Sequence, residues 1–303
     1  MDATVQLLEH EATGWKAGTY DDIRRTLRAP LVNSVWRVAM AHEPELFRHA
    51  WHQLSPVFTT RRFAAFSVAY RDAVLSGVDA AELDPSGLDI SPAELTELRG
   101  QLATFDVVAP RLAVAFETCD RLLNGGRVAT DPATGRAATA PYPEPLDADR
   151  GRPVTLAGMD ESAERAPEPV AAVRDYHDLG PMLPSIHRCL AQWPDAFDAL
   201  WARLEPTFTA SGYDDATDDA AALLDTFVRG LPTAPALTPA ELDAAGFEAD
   251  AAVALADHFA DFNANAGGVL PTLHAYAATV GAAGERTALQ FPWCATARFV
   301  CLR

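Results

Sequence analysis

One stretch of this chain is written twice. Trp51-His-Gln-Leu-Ser-Pro-Val-Phe-Thr59 and Trp201-Ala-Arg-Leu-Glu-Pro-Thr-Phe-Thr209 share Trp, Leu, Pro, Phe and Thr at a constant offset of 150 residues. Ala41, Pro44 and Phe47 match Ala191, Pro194 and Phe197 in the same register, and Pro30, Ser34 and Arg37 match Pro181, Ser185 and Arg188 after a one-residue shift. Downstream, Ser91-Pro-Ala-Glu-Leu95 echoes Thr238-Pro-Ala-Glu-Leu242. A period this long, held over several landmarks, constrains the fold to two similar units made by duplication. The expected organisation is a first repeat over 1–125, a Pro/Gly-rich linker over 126–170 and a second repeat over 171–303. The linker has no helical or strand period, and a connection of that length should run over the surface.

Within each repeat the apolar period is helical. Phe47, Ala50, Trp51 and Leu54 follow the i, i+3, i+4, i+7 template. Ser91-Pro-Ala-Glu94 and Thr238-Pro-Ala-Glu241 each read as a cap residue, a proline at the first helical position and a capping-box glutamate. Thr19-Tyr-Asp-Asp22 reads as another helix start. Alternating strand patterns are nearly absent, so the expected fold is all-α, two homologous bundles packed as an intramolecular pseudo-dimer.

Charge narrows the function. Twenty-four Lys and Arg residues against 42 Asp and Glu give a net charge of −18. That excludes nucleic acid and an anionic membrane surface as partners. The cations are almost all arginine, with Lys16 the single lysine. An acidic, lysine-poor surface suits a salty cytoplasm, where a Debye length of about 3 Å at 1 M screens self-repulsion; a GC-rich genome is the competing explanation. The N-terminal stretch lacks a basic and an apolar region, so no signal peptide is read, and no apolar run is long enough for a membrane helix. Four cysteines without a C-x-x-C pair complete the expectation of a reduced, cytoplasmic protein.

Few residues carry chemistry. His49-x-x-His52 could present two imidazoles on one helix face, but its context is ordinary packing, and no metal is expected. Cys294 and Cys301 read as small core residues, and the acids at 214–219 as a solvated run. Phosphate-loop, dinucleotide and nucleophile-elbow signatures are missing. The segment Arg174-Asp-Tyr-His-Asp-Leu-Gly-Pro181 differs: His177 and Asp178 fall at the end of one helix, facing the start of the next. The matching place in the first repeat holds Leu27 or Arg28, with no acid. Such asymmetry is expected when duplication leaves one active centre. By the residues alone, Asp178 is either a helix cap or that centre's carboxylate.

Thr19-Tyr-Asp-Asp-Ile-Arg-Arg-Thr-Leu-Arg-Ala-Pro30, Arg37-Val38, Ala50-Trp51, Leu190-Ala-Gln-Trp-Pro194 and Phe227-Val-Arg-Gly-Leu-Pro232 resemble landmarks of the DehI-type (group I) 2-haloacid dehalogenases, from about Gly18 to Phe291-Pro292. The resemblance implies hydrolysis of small anionic 2-haloalkanoic acids to 2-hydroxy acids at a site between two helical repeats. It implies no metal or organic cofactor, and a homodimer. In that mechanism an aspartate activates water, which attacks the halogen-bearing carbon without an ester intermediate. Carried over by motif spacing, the aspartate is Asp178, with Asp175 as fallback, and the assisting amide is Gln192. Leu31 and Ser34 stand where the family has aromatic wall residues. Thr60, or its neighbour Thr59, takes the place of the family's first-half threonine, and Ala64 that of its glutamate. The substrate carboxylate would be held by N–H groups around Asn33 and Ser34 and by Arg188 or Arg28, with His177 beside the base. Two other readings stay open: an all-α enzyme acting on another small carboxylic acid, and a non-catalytic helical binding protein.

Overall fold

The computed structural model describes residues 1–29, 31–79, 83–84, 89–141 and 151–284. Among these residues the chain is all-α, the only ladder contact being an isolated bridge between Thr60 and Pro141. Helices α1 (Gly14–Leu27), α2 (Ser34–His42), α3 (Pro44–Leu54), α4 (Arg61–Ser76) and α5 (Pro92–Leu123) make the first half. After α6 (Met159–Arg165) come α7 (Pro167–His177), α8 (Ser185–Leu190), α9 (Pro194–Phe208), α10 (Ser211–Arg229), α11 (Pro239–Ala244) and α12 (Ala249–Thr279). No described helix is long and apolar enough to cross a membrane.

Local chemistry sets the boundaries. Pro44 and Pro194 each open a helix, where a missing N–H costs nothing. Ser91 and Thr238 form the reciprocal capping boxes that their sequences announce: each hydroxyl accepts from the glutamate N–H, while the glutamate accepts from the cap N–H at 2.9 Å. α1 and α7 both end on a left-handed residue, Arg28 at φ 54° and Asp178 at φ 48°. The helix start read at Thr19 is corrected. α1 begins at Gly14, and the Thr19 hydroxyl donates instead to Trp15 O at 3.0 Å inside the helix. A threonine can satisfy its hydroxyl on the preceding turn as readily as it caps.

α5 against α12 and α4 against α10 are the two largest helix contacts, and both join one half to the other. The α4–α10 crossing is close enough that a Cβ on Gly77 would lie 2.6 Å from Gly212 O and 3.0 Å from Tyr213 Cα. One continuous core runs through both halves, from Trp36, Phe47 and Trp51 to Phe197, Trp201 and Phe227. Buried within it, Asp106 on α5 accepts from Arg71 Nε at 2.9 and 3.1 Å, meets His274 Nδ1 at 2.5 Å and accepts from Gly284 N at 2.9 Å.

The stretch 126–170 carries more structure than its composition announces. It holds a 3-10 turn at Arg136–Ala138, all of α6 and the start of α7. Its described parts are tied down, by Ala129 N to Val228 O, Arg61 N to Ala140 O, Arg152 N to Gly100 O and Ala157 N to Arg188 O. Backbone N–H groups of an irregular segment need partners, and here the two halves supply them. The acids at 214, 215, 218 and 219 are exposed, on the outer face of α10.

Candidate active site

Asp178 closes α7. Its left-handed backbone suits an aspartate, whose short polar side chain tolerates that region better than most, and its N–H reaches Asp175 O at 3.4 Å. The side chain is exposed, as is that of Asp175, and among the described residues the Asp178 carboxylate makes no hydrogen bond or ion pair. Arg28 occupies the same left-handed position at the end of α1, so the acid is present in one half and a cation in the other.

His177, one residue earlier, turns inward. Its ring lies 5.6 Å from that of His187 on α8, and a Cβ on Gly268 of α12 would be 3.9 Å from its Nδ1. Burial pushes the His177 pKa down to about 4, so the imidazole is neutral at pH 7. His187 is fully buried and driven well below its ordinary value by burial and then by His177; its Nε2 meets Tyr276 OH at 3.2 Å.

Gln192 lies in the turn between α8 and α9. Its Nε2 donates to Thr155 O at 2.9 Å, Cys189 O at 3.0 Å and Gln101 Oε1 at 3.2 Å. The amide N–H groups are therefore held by α5 and by the 151–158 strap. No described hydrogen bond joins Gln192 to Asp178. Cys189, beside it, is buried with its thiol pushed up to about 12 by burial, and is inert at neutral pH.

The anion-holding candidates divide. Asn33 is spent as the N-cap of α2: its Oδ1 accepts from Val35 N at 3.1 Å and from Ser34 Oγ at 3.3 Å, while Asn33 O takes Trp36 N and Arg37 N. Most first-turn N–H groups expected to face an anion are therefore occupied. Leu31 is half-buried just ahead of this cap. Arg188 is half-buried with Nε donating to Ala157 O at 2.8 Å; its terminal nitrogens meet no described partner. Burial lowers its pKa, and the charge of Arg37 lowers it further. Arg37 holds the matching place in α2, and its buried Nε has no partner among the described residues. The sequence marked Arg37 only as a landmark of the repeat; that it and Arg188 feel one another follows from the tertiary fold.

Thr60 stands elsewhere. It caps α4 by accepting from Phe63 N at 3.1 Å and lines a cleft of about 410 Å³ with His52, Gln53, Arg62, Thr139 and Phe227. None of Leu31, Asn33, Ser34, His177, Asp178, Arg188 or Gln192 lines that cleft. Ala64 is buried one turn into α4. His49 packs on Phe247 with ring centroids 5.2 Å apart, while His52 is exposed. Among the described residues no three His, Cys, Asp or Glu side chains are placed to hold a metal ion. Cys294, Cys301, Phe291 and Pro292 lie outside the described residues.

Comparison with known proteins shows what the chain as a whole is similar to. The family model for halocarboxylic acid dehydrogenase DehI matches residues 30–174. An (R)-2-haloacid dehalogenase of Rhizobium sp. (strain NHG3) is 27% identical over 211 residues, covering 65% of this chain and 76% of that protein. The enzyme of the same name from Pseudomonas putida is 34% identical over 76 residues, a quarter of each chain. Among solved structures, D-2-haloacid dehalogenase in complex with L-LA superposes with a TM-score of 0.75 at 20% identity, covering 91% of this chain and 95% of that one. A mutant of D-2-haloacid dehalogenase with D-2-CPA superposes with a TM-score of 0.77 over the same shares. The sequence model and the sequence relatives point one way: over residues 30–174 the chain is similar to the DehI family.

Proposed function

We propose that this protein hydrolyses small 2-haloalkanoic acids to 2-hydroxy acids, with Asp178 as the base. The observation that carries the reading, beside the family likeness, is the asymmetry of two like helix ends. The second half has an acid where the first has an arginine, and only there does an inward imidazole precede it. In the reaction a water oxygen attacks the halogen-bearing carbon from the side opposite the halogen. The C–halogen bond breaks with its electron pair on the halide, and the water proton passes to the Asp178 carboxylate, which returns it to solvent. No ester forms on the enzyme. The carbonyl oxygen of Gln192, which accepts from no described residue, is the group that orients the water. Arg188 is the cation for the substrate carboxylate, and Leu31, Ser34 and His177 line the pocket; Thr60 would act from its own cleft. Two fused copies with the site between them complete the reading.

Halide release from D- and L-2-chloropropionate in high salt tests it. Asp178→Asn should lower kcat by about 10²–10⁴ while leaving the fold intact, and Asp175→Asn should leave kcat within a factor of a few. A single turnover in water enriched in heavy oxygen, with enzyme in excess, should place the label in the product. An unlabelled product would mean that an ester formed. No halide release by the unaltered protein would end the proposal.

One observation favours a second reading. The exposed Asp178 side chain and the committed Gln192 amide are what a scaffold that binds, rather than hydrolyses, a small carboxylic acid would show. Binding of 2-chloropropionate without turnover would select it.

A further inference from the structure

The two halves repeat their aromatic core ring for ring. Trp36 lies 5.8 Å from Phe47 and 5.7 Å from Trp51; at the matching places His187 lies 5.8 Å from Phe197 and 6.4 Å from Trp201. Trp51–Phe58 at 6.3 Å becomes Trp201–Phe208 at 6.0 Å, and Phe58–Phe63 at 5.2 Å becomes Phe208–Tyr213 at 5.1 Å. Phe116 of α5 meets Trp36, as Tyr276 of α12 meets His187.

The contacts are kept while their chemistry changes in one direction. Leu27 gives way to His177, Trp36 to His187 and Phe63 to Tyr213. In the first half the Trp51 indole N–H donates to Asp22 Oδ2 at 2.7 Å. Ala172 stands in the place of Asp22, and the Trp201 indole N–H has no partner among the described residues. Among the described residues, His177 Nε2, His187 Nδ1 and Tyr213 OH are buried without partners as well, against one such atom, Trp36 Nε1, at the matching first-half places. An unpaired buried polar group is costly, and a cluster of them marks something that pairs with it.

The lining identifies the occupant. Indole N–H, phenol O–H and neutral imidazole N–H are uncharged donors, set among the faces of Phe197, Phe208 and Tyr176. None of these donors is itself an arginine, lysine or carboxylate, and the charge of Asp214 reaches Tyr176. Weak donors on aromatic walls suit a large, polarisable, weakly hydrated monoanion that must leave again; a carboxylate would call for a guanidinium. Resting on the proposed hydrolysis, in which a halide departs beside His177 and Asp178, we propose that Trp201, Tyr213, His187 and Tyr276 line an internal site for the leaving halide. The timing is favourable: as the C–halogen bond gives its electron pair to the halide, Asp178 takes the water proton and loses its negative charge.

Chloride binding is read by the chlorine NMR linewidth at constant ionic strength, held with sodium sulfate, and by displacement with bromide. Anomalous diffraction from bromide-soaked crystals locates the ion. Saturable binding is expected in the unaltered protein, weakened at least tenfold by Tyr213→Phe, which removes one oxygen and keeps the ring, and by Trp201→Phe. His187→Trp, which restores the first-half indole, should abolish it. Absence of saturable binding, binding indifferent to all three substitutions, or a bromide peak away from Trp201 would overturn the proposal. Halide release is assayed on the same preparation. Bromide binding at this site without release would leave the halide site standing and remove the hydrolase reading.

Discussion

Two inward imidazoles tie the stability of the core to pH. An unfolded histidine takes its proton near 6.5, whereas folded His177 takes it only near 4, and burial holds His187 well below its ordinary value too. Between those values the unfolded chain holds more protons. The stability these residues contribute is therefore complete above pH 6.5 and drains away as pH falls toward 4, by up to ~1.4 kcal/mol per pH unit for each imidazole. Urea midpoints at pH 7 and 5 should show this fall, and His177→Leu, which restores the Leu27 chemistry, should flatten it. Asp106 behaves differently, because its partners are Arg71, His274 and Gly284 N, all drawn into the core. Asp106→Ala should cost about 3–5 kcal/mol, since it leaves a buried guanidinium without its acid. A loss below 1 kcal/mol in urea denaturation would refute that. Of these residues, His177 and Asp178 were legible in the sequence through their asymmetry with Leu27 and Arg28. Asp106, His187 and Tyr276 were not, because each meets its partner 35 to 178 residues away along the chain and no local pattern encodes that distance.

Helices were legible wherever capping chemistry is explicit. Ser91 and Thr238 start α5 and α11 as their motifs announce, and Thr238→Ala should lower stability by ~1 kcal/mol, measured as a drop in urea midpoint. Thr19 misled, because a hydroxyl that can cap can equally bond one turn back. The strap at 151–158 was legible only as a linker, since its partners are Gly100, Gln101 and Arg188 rather than neighbours in sequence. The α4–α10 crossing was likewise hidden. Gly77 has an ordinary negative φ, so its value lies in what is missing at Cβ. Gly77→Ala would push a methyl against Gly212 O and should cost about 1–3 kcal/mol, with Gly18→Ala, which meets open space, as the neutral control in thermal melts.

At the scale of the molecule, a net charge of −18 on 303 residues sets a repulsion that salt relieves. Raising potassium chloride from 0.1 to about 2 M should raise the urea midpoint, in line with a Debye length falling from about 10 Å to under 3 Å; a flat response would remove the salt-adapted reading. What the sequence determined by itself was whatever is written locally or periodically: the helical class, the caps, the repeated landmarks, the acidic surface and the lone acid at the end of α7. Only the tertiary structure decided which side of that repetition became polar inside. It brought His187 to Tyr276, left Trp201 without the acid that serves Trp51, spent the Gln192 amide on Gln101 and Thr155, and set Asp178 at the exposed end of its helix. The reason is physical: a cap needs four neighbouring residues, but a buried donor is satisfied or stranded by whatever another helix brings against it.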